Sequence, residues 1–188
     1  SNVTKDITVL ADLPKSLQLT GVDAMKAGEC QPYDITLIDQ FGNIANANNK
    51  QYNFNLTASL VEAAGESVAN NGAFFVDKAC SLAGTTTFID SVSTSRTVYF
   101  KAARAGKIKL IATHSNAAAI GVDLKTAEKQ IQVNLESASR LVFLQSIPSQ
   151  VPMNADFNPA LKIAVADLAG NVVPNQSATI ALSFAKNS

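Results

Sequence analysis

Two cysteines, one histidine and a scatter of carboxylates are the residues of this chain with the most chemistry to offer. Neither Cys30 nor Cys80 sits in a CxxC pair, and with His114 as the single imidazole a zinc site lacks ligands. The two sulfurs are compatible with two buried thiols or with one disulfide. Both lie at the edges of strand-like runs in a Thr- and Asn-rich chain, which favours the disulfide. A bridge closing that loop would constrain the unfolded chain by about 4 kcal/mol and place the protein outside the cytosol. His114 has no nucleophile elbow of the GxSxG kind to serve, so it reads as a surface or loop histidine. Glu62, Glu66 and Asp77 raise the paired carboxylates of glycoside hydrolysis. They flank a small-residue loop, and the chain has no Trp and three Tyr to build a sugar platform, so they read as solvated loop charges. Asp39 with Asn43 raises calcium, which takes six to eight oxygens. No acidic cluster of that size is apparent, and Asp39, Gly42 and Asn43 read instead as a structural turn. The expectation is a protein that is not an enzyme and holds no metal or cofactor.

The elements that carry these residues are strands. Ile7 to Leu10, Ser16 to Thr20, Tyr33 to Asp39, Tyr52 to Thr57, Thr85 to Asp90, Arg96 to Ala102, Lys107 to Thr113 and Gln130 to Asn134 are β-rich, several with strict alternation of apolar and polar residues. That period of two marks half-buried antiparallel strands. Phe41-Gly42-Asn43, Asn70-Asn71-Gly72 and Ala105-Gly106 separate them as turns. Ala58 to Val68 and Ala117 to Lys129 are ambiguous between helix and loop and are read as long connections. Phe74 and Phe75 are adjacent, so on a strand they face opposite sides. One belongs to the core; the other is covered or forms a contact patch. The Asn-rich loop with Asn48 and Asn49 reads as a solvated connection and a second candidate for partner contact. Lys101, Arg104, Lys107 and Lys109 read as a mildly basic hairpin whose lysines protect an edge strand.

Composition agrees with this. The 188 residues carry 15 basic and 15 acidic side chains, a formal net charge of zero. Hydrophobic residues reach 47%, enough for a packed core, while charged residues are only 16%, against a usual share of about 25%. The balance excludes collagen, coiled coil, zinc finger and a basic nucleic-acid binder. No run approaches the roughly 18 apolar residues of a membrane helix, so membrane insertion is not expected, and no signal peptide is visible.

The chain repeats itself. Asp39-Gln40-Phe41-Gly42-Asn43 returns as Asp167-Leu168-Ala169-Gly170-Asn171, 128 positions later. Tyr33, Ile35 and Leu37 fall on Leu161, Ile163 and Val165 at that offset, and Phe54 and Leu56 fall on Leu182 and Phe184. Upstream, Leu17 and Leu19 match Leu141 and Phe143 at an offset of 124, and Lys5 to Val9 matches Lys129 to Val133. A four-residue insertion around Gln150 to Ala155 reconciles the two offsets. The expected division is residues 1–11 as the closing strand of a preceding repeat, 12–136 as one complete domain with two long insertions, and 137–188 as the first half of a further repeat.

Gly28-Glu29-Cys30, the alternating strand after it and the DQFGN turn resemble the opening of bacterial immunoglobulin-like (Big-type) repeats. Phe74 to Cys80 resembles a disulfide-containing subset from large secreted proteins of predatory and gliding bacteria. Thr97 to Gly106, followed by Ile108 to Ala112, resembles the penultimate hairpin of the same repeats. The resemblance implies an all-β fold of tandem immunoglobulin-like sandwiches and a Cys30–Cys80 disulfide. In the second copy Asn158 stands where Cys30 stands, so that copy lacks the bridge. By the same resemblance the chain is a non-catalytic structural or adhesive segment, a stalk or presenting module of a bacterial cell-surface, secreted or periplasmic protein. Its partners would be neighbouring repeats, or a second chain completing the 137–188 half-domain, and a host or prey surface protein or glycan. Two other readings compete with it. One is a carbohydrate- or protein-binding module built on the 58–71 and 117–129 insertions. The other is an accessory domain of a secreted hydrolase.

Overall fold

The computed structural model describes residues 10–148, 150, 155–156 and 158–183. Among them are eleven strands and one four-residue helix. The fold is an all-β sandwich followed by a small hairpin.

One sheet of the sandwich joins β1 (Ser16–Gly21), β3 (Cys30–Ile38), β7 (Ser95–Ala102) and β5 (Gly72–Phe75), in that spatial order. The facing sheet joins β2 (Ala24–Lys26), β9 (Ala127–Asn134), β8 (Gly106–His114), β4 (Tyr52–Ala63) and β6 (Thr86–Ile89). The first order is the A-B-E-D sheet of an immunoglobulin-like sandwich, and β9-β8-β4 supplies its G-F-C sheet. β2 pairs parallel to β9, so the opening strand changes sheets after Gly21. Gly21 permits that crossing, because a Cβ there would run into the ring of Tyr33 on the neighbouring strand.

Alternation decides which residues fill the core. Tyr33, Ile35 and Leu37 of β3 are fully buried, as are Val98 and Phe100 of β7, Ile108, Leu110 and Ala112 of β8, and Val133 of β9. Tyr52, Phe54 and Leu56 of β4 meet them from the other sheet. Each fully buried aliphatic or aromatic side chain stabilises the fold by roughly 1.5–3 kcal/mol relative to exposure.

Several expectations need correction. Residues 58–63 are not a loop: β4 continues through them to Ala63, with a bulge between Leu60 and Glu62 opposite Ile108 and Lys107. The bulge shifts register by one residue, which blurs the period of two in the sequence. The second ambiguous segment contains the helix α1 (Ala117–Ile120), and its last residues already belong to β9. The two presumed insertions therefore shrink to residues 64–71 and 117–126. β8 is a central strand rather than an edge, so Lys107 and Lys109 protect no edge. They pair with Glu62 at 2.6 Å and Glu128 at 3.2 Å on neighbouring strands. β2 and the order of β5 before β6 had no clear signal in the sequence.

After the sandwich, β10 (Arg140–Phe143) and β11 (Ile163–Ala166) form a separate antiparallel hairpin. Residues 174–183 form no strand, and Leu182 is exposed. The counterpart of Leu182 in β4 pairs with β6 and β8. The expected match at Phe184 and the strand residues Ile7 to Val9 lie outside the described residues.

Candidate functional site

The strands run between two poles. The upper one gathers the Asp39–Asn43 turn, the Asn46–Asn49 loop and the β8–β9 connection. The lower one gathers residues 27–29, 64–70 and 103–105, and it is where the second DxxGN turn sits.

In the upper turn the Asp39 carboxylate accepts from the backbone N–H groups of Phe41 and Asn43 at 2.9 Å each. It also accepts from the Asn43 side-chain amide at 3.1 Å and from the Asp12 N–H at 3.0 Å. Burial disfavours its charge, but these four hydrogen bonds outweigh that and bring its pKa from 3.8 down to about 2. Gly42 takes φ +90°, where a side chain would be strained.

The lower turn repeats this bonding with one change, in that Gly170 rather than Ala169, the counterpart of Phe41, supplies a backbone N–H. The Asp167 carboxylate accepts from the Gly170 and Asn171 N–H groups at 2.8 Å each and from the Asn171 amide at 2.9 Å. The Glu136 N–H, the counterpart of Asp12, completes the set at 3.4 Å. Gly170 has φ +106°. The strands agree as well: Leu17 pairs with Leu37, and Leu141 with Val165. Thus Asp39, Gly42, Asn43, Asp167, Gly170 and Asn171 all act as turn residues.

What differs is the surroundings. Asn171 is 1% exposed. Its amide donates to the Ala103 carbonyl at 2.8 Å, and its oxygen accepts from the Ala105 N–H at 2.9 Å and the Ser67 hydroxyl at 2.8 Å. Two backbone hydrogen bonds flank it, Val68 N–H to the Gly170 carbonyl and Val172 N–H to the Glu66 carbonyl. Lys162 of the hairpin adds an ion pair to Glu66 at 2.5 Å. The side-chain amide thus stitches two loops of the sandwich, 66–68 and 103–105, to the hairpin. In the upper turn, among the described residues, the Asn43 amide reaches only Asp39.

Cys30 and Cys80 form a disulfide with Cα atoms 6.2 Å apart. Cys30 opens β3 at the lower pole, opposite Lys101, and Cys80 lies in the β5–β6 loop. The bridge therefore ties that loop to the start of β3 at the lower pole. Asp77 organises the same loop: its carboxylate accepts from the Leu82 and Ser81 N–H groups and the Ser81 hydroxyl. The Leu82 bond leads in holding its pKa below the ordinary range.

The remaining candidates scatter. Glu62 pairs with Lys107 and Glu66 with Lys162, so with Asp77 capping its own loop the three carboxylates share no cleft. His114 is not a surface residue but 9% exposed. As the last residue of β8 it continues the inward face of Leu110 and Ala112, beside the rings of Tyr52 and Phe54. Its Nε2 lies 2.8 Å from Asn116 Oδ1, an acceptor that also binds the Asn53 N–H. The proton therefore sits on Nε2. Phe74 is core, packed on Phe100 at 5.0 Å between ring centroids. Phe75 is half-buried and opens onto an apolar groove of about 710 Å³ that runs along Ala73, Ala102 and Ala103 to Leu168 and Ala169. Asn48 and Asn49 hold left-handed conformations, φ 50° and 60°, which Asn tolerates better than most residues. They belong to the upper pole, far in the fold from Phe75, so the expected contact residues do not converge on one patch.

No protein-family model and no curated protein sequence matches the chain. Solved structures do resemble it. A β-glucuronidase from Parabacteroides merdae matches at 12% identity and TM-score 0.43, over 67% of this chain and 13% of that one. The CARDB domain of a Pyrococcus furiosus protein, in complex with di-metal ions, matches at 10% identity and TM-score 0.41, over 71% of this chain and all of that one. The surface-layer protein SbsC matches at 17% identity and TM-score 0.38, over 89% of this chain and 18% of that one. The chain thus spans a small part of the glucuronidase and of SbsC. At these identities and scores the likenesses assign no family.

Proposed function

We propose that this chain is a non-catalytic structural or adhesive segment of a bacterial surface or secreted protein, built of consecutive immunoglobulin-like units. Residues 12–136 make one unit, 137–188 begin the next, and 1–11 end a previous one. The observation that carries this reading is the seating of the Asp167–Asn171 turn in the lower pole of the sandwich. A free linker would let two units swivel. A turn that hydrogen-bonds to two loops of its neighbour holds their relative orientation, which is what a stalk or presenting module requires. The disulfide supports a location outside the cytosol, where such bonds persist. It also limits unfolding of the pole that takes the load. No helix among the described residues is long and apolar enough to cross a membrane.

The test is Asn171→Ala in the full chain, read by proteolysis at the 135–140 connection and by small-angle scattering. The expected result is faster cleavage and a larger, more variable dimension with the sandwich intact. Unchanged cleavage and dimensions would remove the mechanical basis of the reading.

A further inference from the structure

The upper turn is built like the one that carries Asn171, but its outer side chains are exposed. The two turns share residues and internal hydrogen bonds, yet Asn171 and its neighbours are buried against Ser67, Ala103 and Ala105, while Phe41 is 75% and Ile44 60% exposed. Their counterparts in the docked turn, Ala169 and Val172, are half-buried. Leu10 and Leu13 are exposed beside the upper turn and enlarge its apolar surface. Asn43 has an amide oxygen and a second N–H with no partner among the described residues, the same atoms that Asn171 directs at the Ala105 N–H and the Ala103 carbonyl.

We propose that the Phe41–Ile44 face binds the lower pole of another unit of this same type. Asn43 would take the loop equivalents of Ser67, Ala103 and Ala105, and Phe41 would enter the groove beside Phe75. The occupant is argued from the interface already present at Asn171. The groove runs past Ala169, the small counterpart of Phe41, and leaves about 710 Å³ beside it, room enough for an aromatic ring. The linker geometry matches too, because the Asp12 N–H meets Asp39 as the Glu136 N–H meets Asp167. This inference rests on the stacked-unit reading above and extends it to the other end of the sandwich.

The chain has no Trp, so Phe41→Trp introduces a single fluorescent reporter at the exposed face. It would be compared in the full chain and in a longer chain whose residues 1–11 are replaced by a second copy of residues 12–135, which keeps the linker register. In the longer chain the indole should shift to shorter emission wavelength and become several-fold less accessible to acrylamide. Asn43→Ala in the same background should restore accessibility, with circular dichroism confirming that the sandwich stays folded. Equal quenching in the two chains would overturn the proposal. If Asn171→Ala loosens the hairpin but quenching is equal, this inference alone falls and the stalk reading stands.

Discussion

The DQFGN turn at the upper pole and the DLAGN turn at the lower pole are built alike and used differently. Each gathers four N–H donors onto one aspartate, and each places its glycine at positive φ. One ends in solvent; the other disappears into a neighbouring pole. The contrast separates two jobs that one short motif can do. The aspartate closes the turn through bonds within a few residues, wherever it is found. The asparagine has amide capacity left over, and only the surroundings decide whether that capacity becomes an interface.

Four perturbations would break or sharpen this contrast, in falling order of effect. Replacing both cysteines with serine releases the lower pole and leaves the upper one tied as before. The loss should be about 4 kcal/mol, read as a lower denaturant midpoint, with amides of the β5–β6 loop exchanging first. Uniform loosening at both poles would contradict a local role for the bridge. Next, Asp167→Ala strands buried N–H groups of Gly170 and Asn171 and should cost about 3 kcal/mol. That cost should appear in hydrogen exchange of β10 and β11 and not in unfolding of the sandwich. Asp39→Ala should do the reverse and lower the melting temperature of the sandwich itself, because its turn joins β3 to the chain entering β4. Identical outcomes for the two aspartates would show that the turns are not independent.

Third, Ser67→Ala removes one hydrogen bond to Asn171 and keeps the flanking backbone pair. Roughly 1 kcal/mol should be lost from the docked hairpin, seen as faster exchange of the Val68 and Val172 amides, with the upper pole unaffected. The smallest effect is that of acid on Asp39. Its folded pKa of about 2 lies below the unfolded 3.8. Its stabilisation is therefore complete above about pH 4 and is lost as pH falls toward about 2. The difference in urea midpoint between the native chain and Asp39→Asn should narrow across that window. A difference that stays constant with pH would mean that ionised Asp39 contributes nothing beyond its shape.

Much of this was legible in the residues, and the failures have physical causes. Tyr33, Ile35 and Leu37 announced a strand with one buried face, and they fill the core. The offset that aligns Asp39 with Asp167 also aligns the bonds from the Asn43 and Asn171 backbone and side-chain amides to them. His114 reads as a loop residue in the sequence because a lone polar residue after a strand looks like a loop. Its burial depends on Tyr52, Phe54 and Asn116, which lie on other elements. The 58–63 segment reads as a loop in the sequence because a bulge breaks alternation where the strand continues. Phe74 and Phe75 were correctly split between faces, but which one entered the core depended on Phe100 across the sheet.

The sequence by itself determined the local features: the period of two, the turns that need glycine, the aspartate that gathers nearby donors, and the spacing at which these recur. Each depends on residues a few positions apart, so each leaves a pattern in the linear chain. The tertiary structure alone decided which strands pair, that β5 precedes β6 while lying in the opposite sheet, and that Cys80 reaches Cys30. It also decided that Asn171 finds Ala103 and Ala105 while Asn43 faces outward. Those outcomes depend on groups 50 to 68 positions apart meeting in space, and two turns with nearly the same sequence can have opposite surroundings.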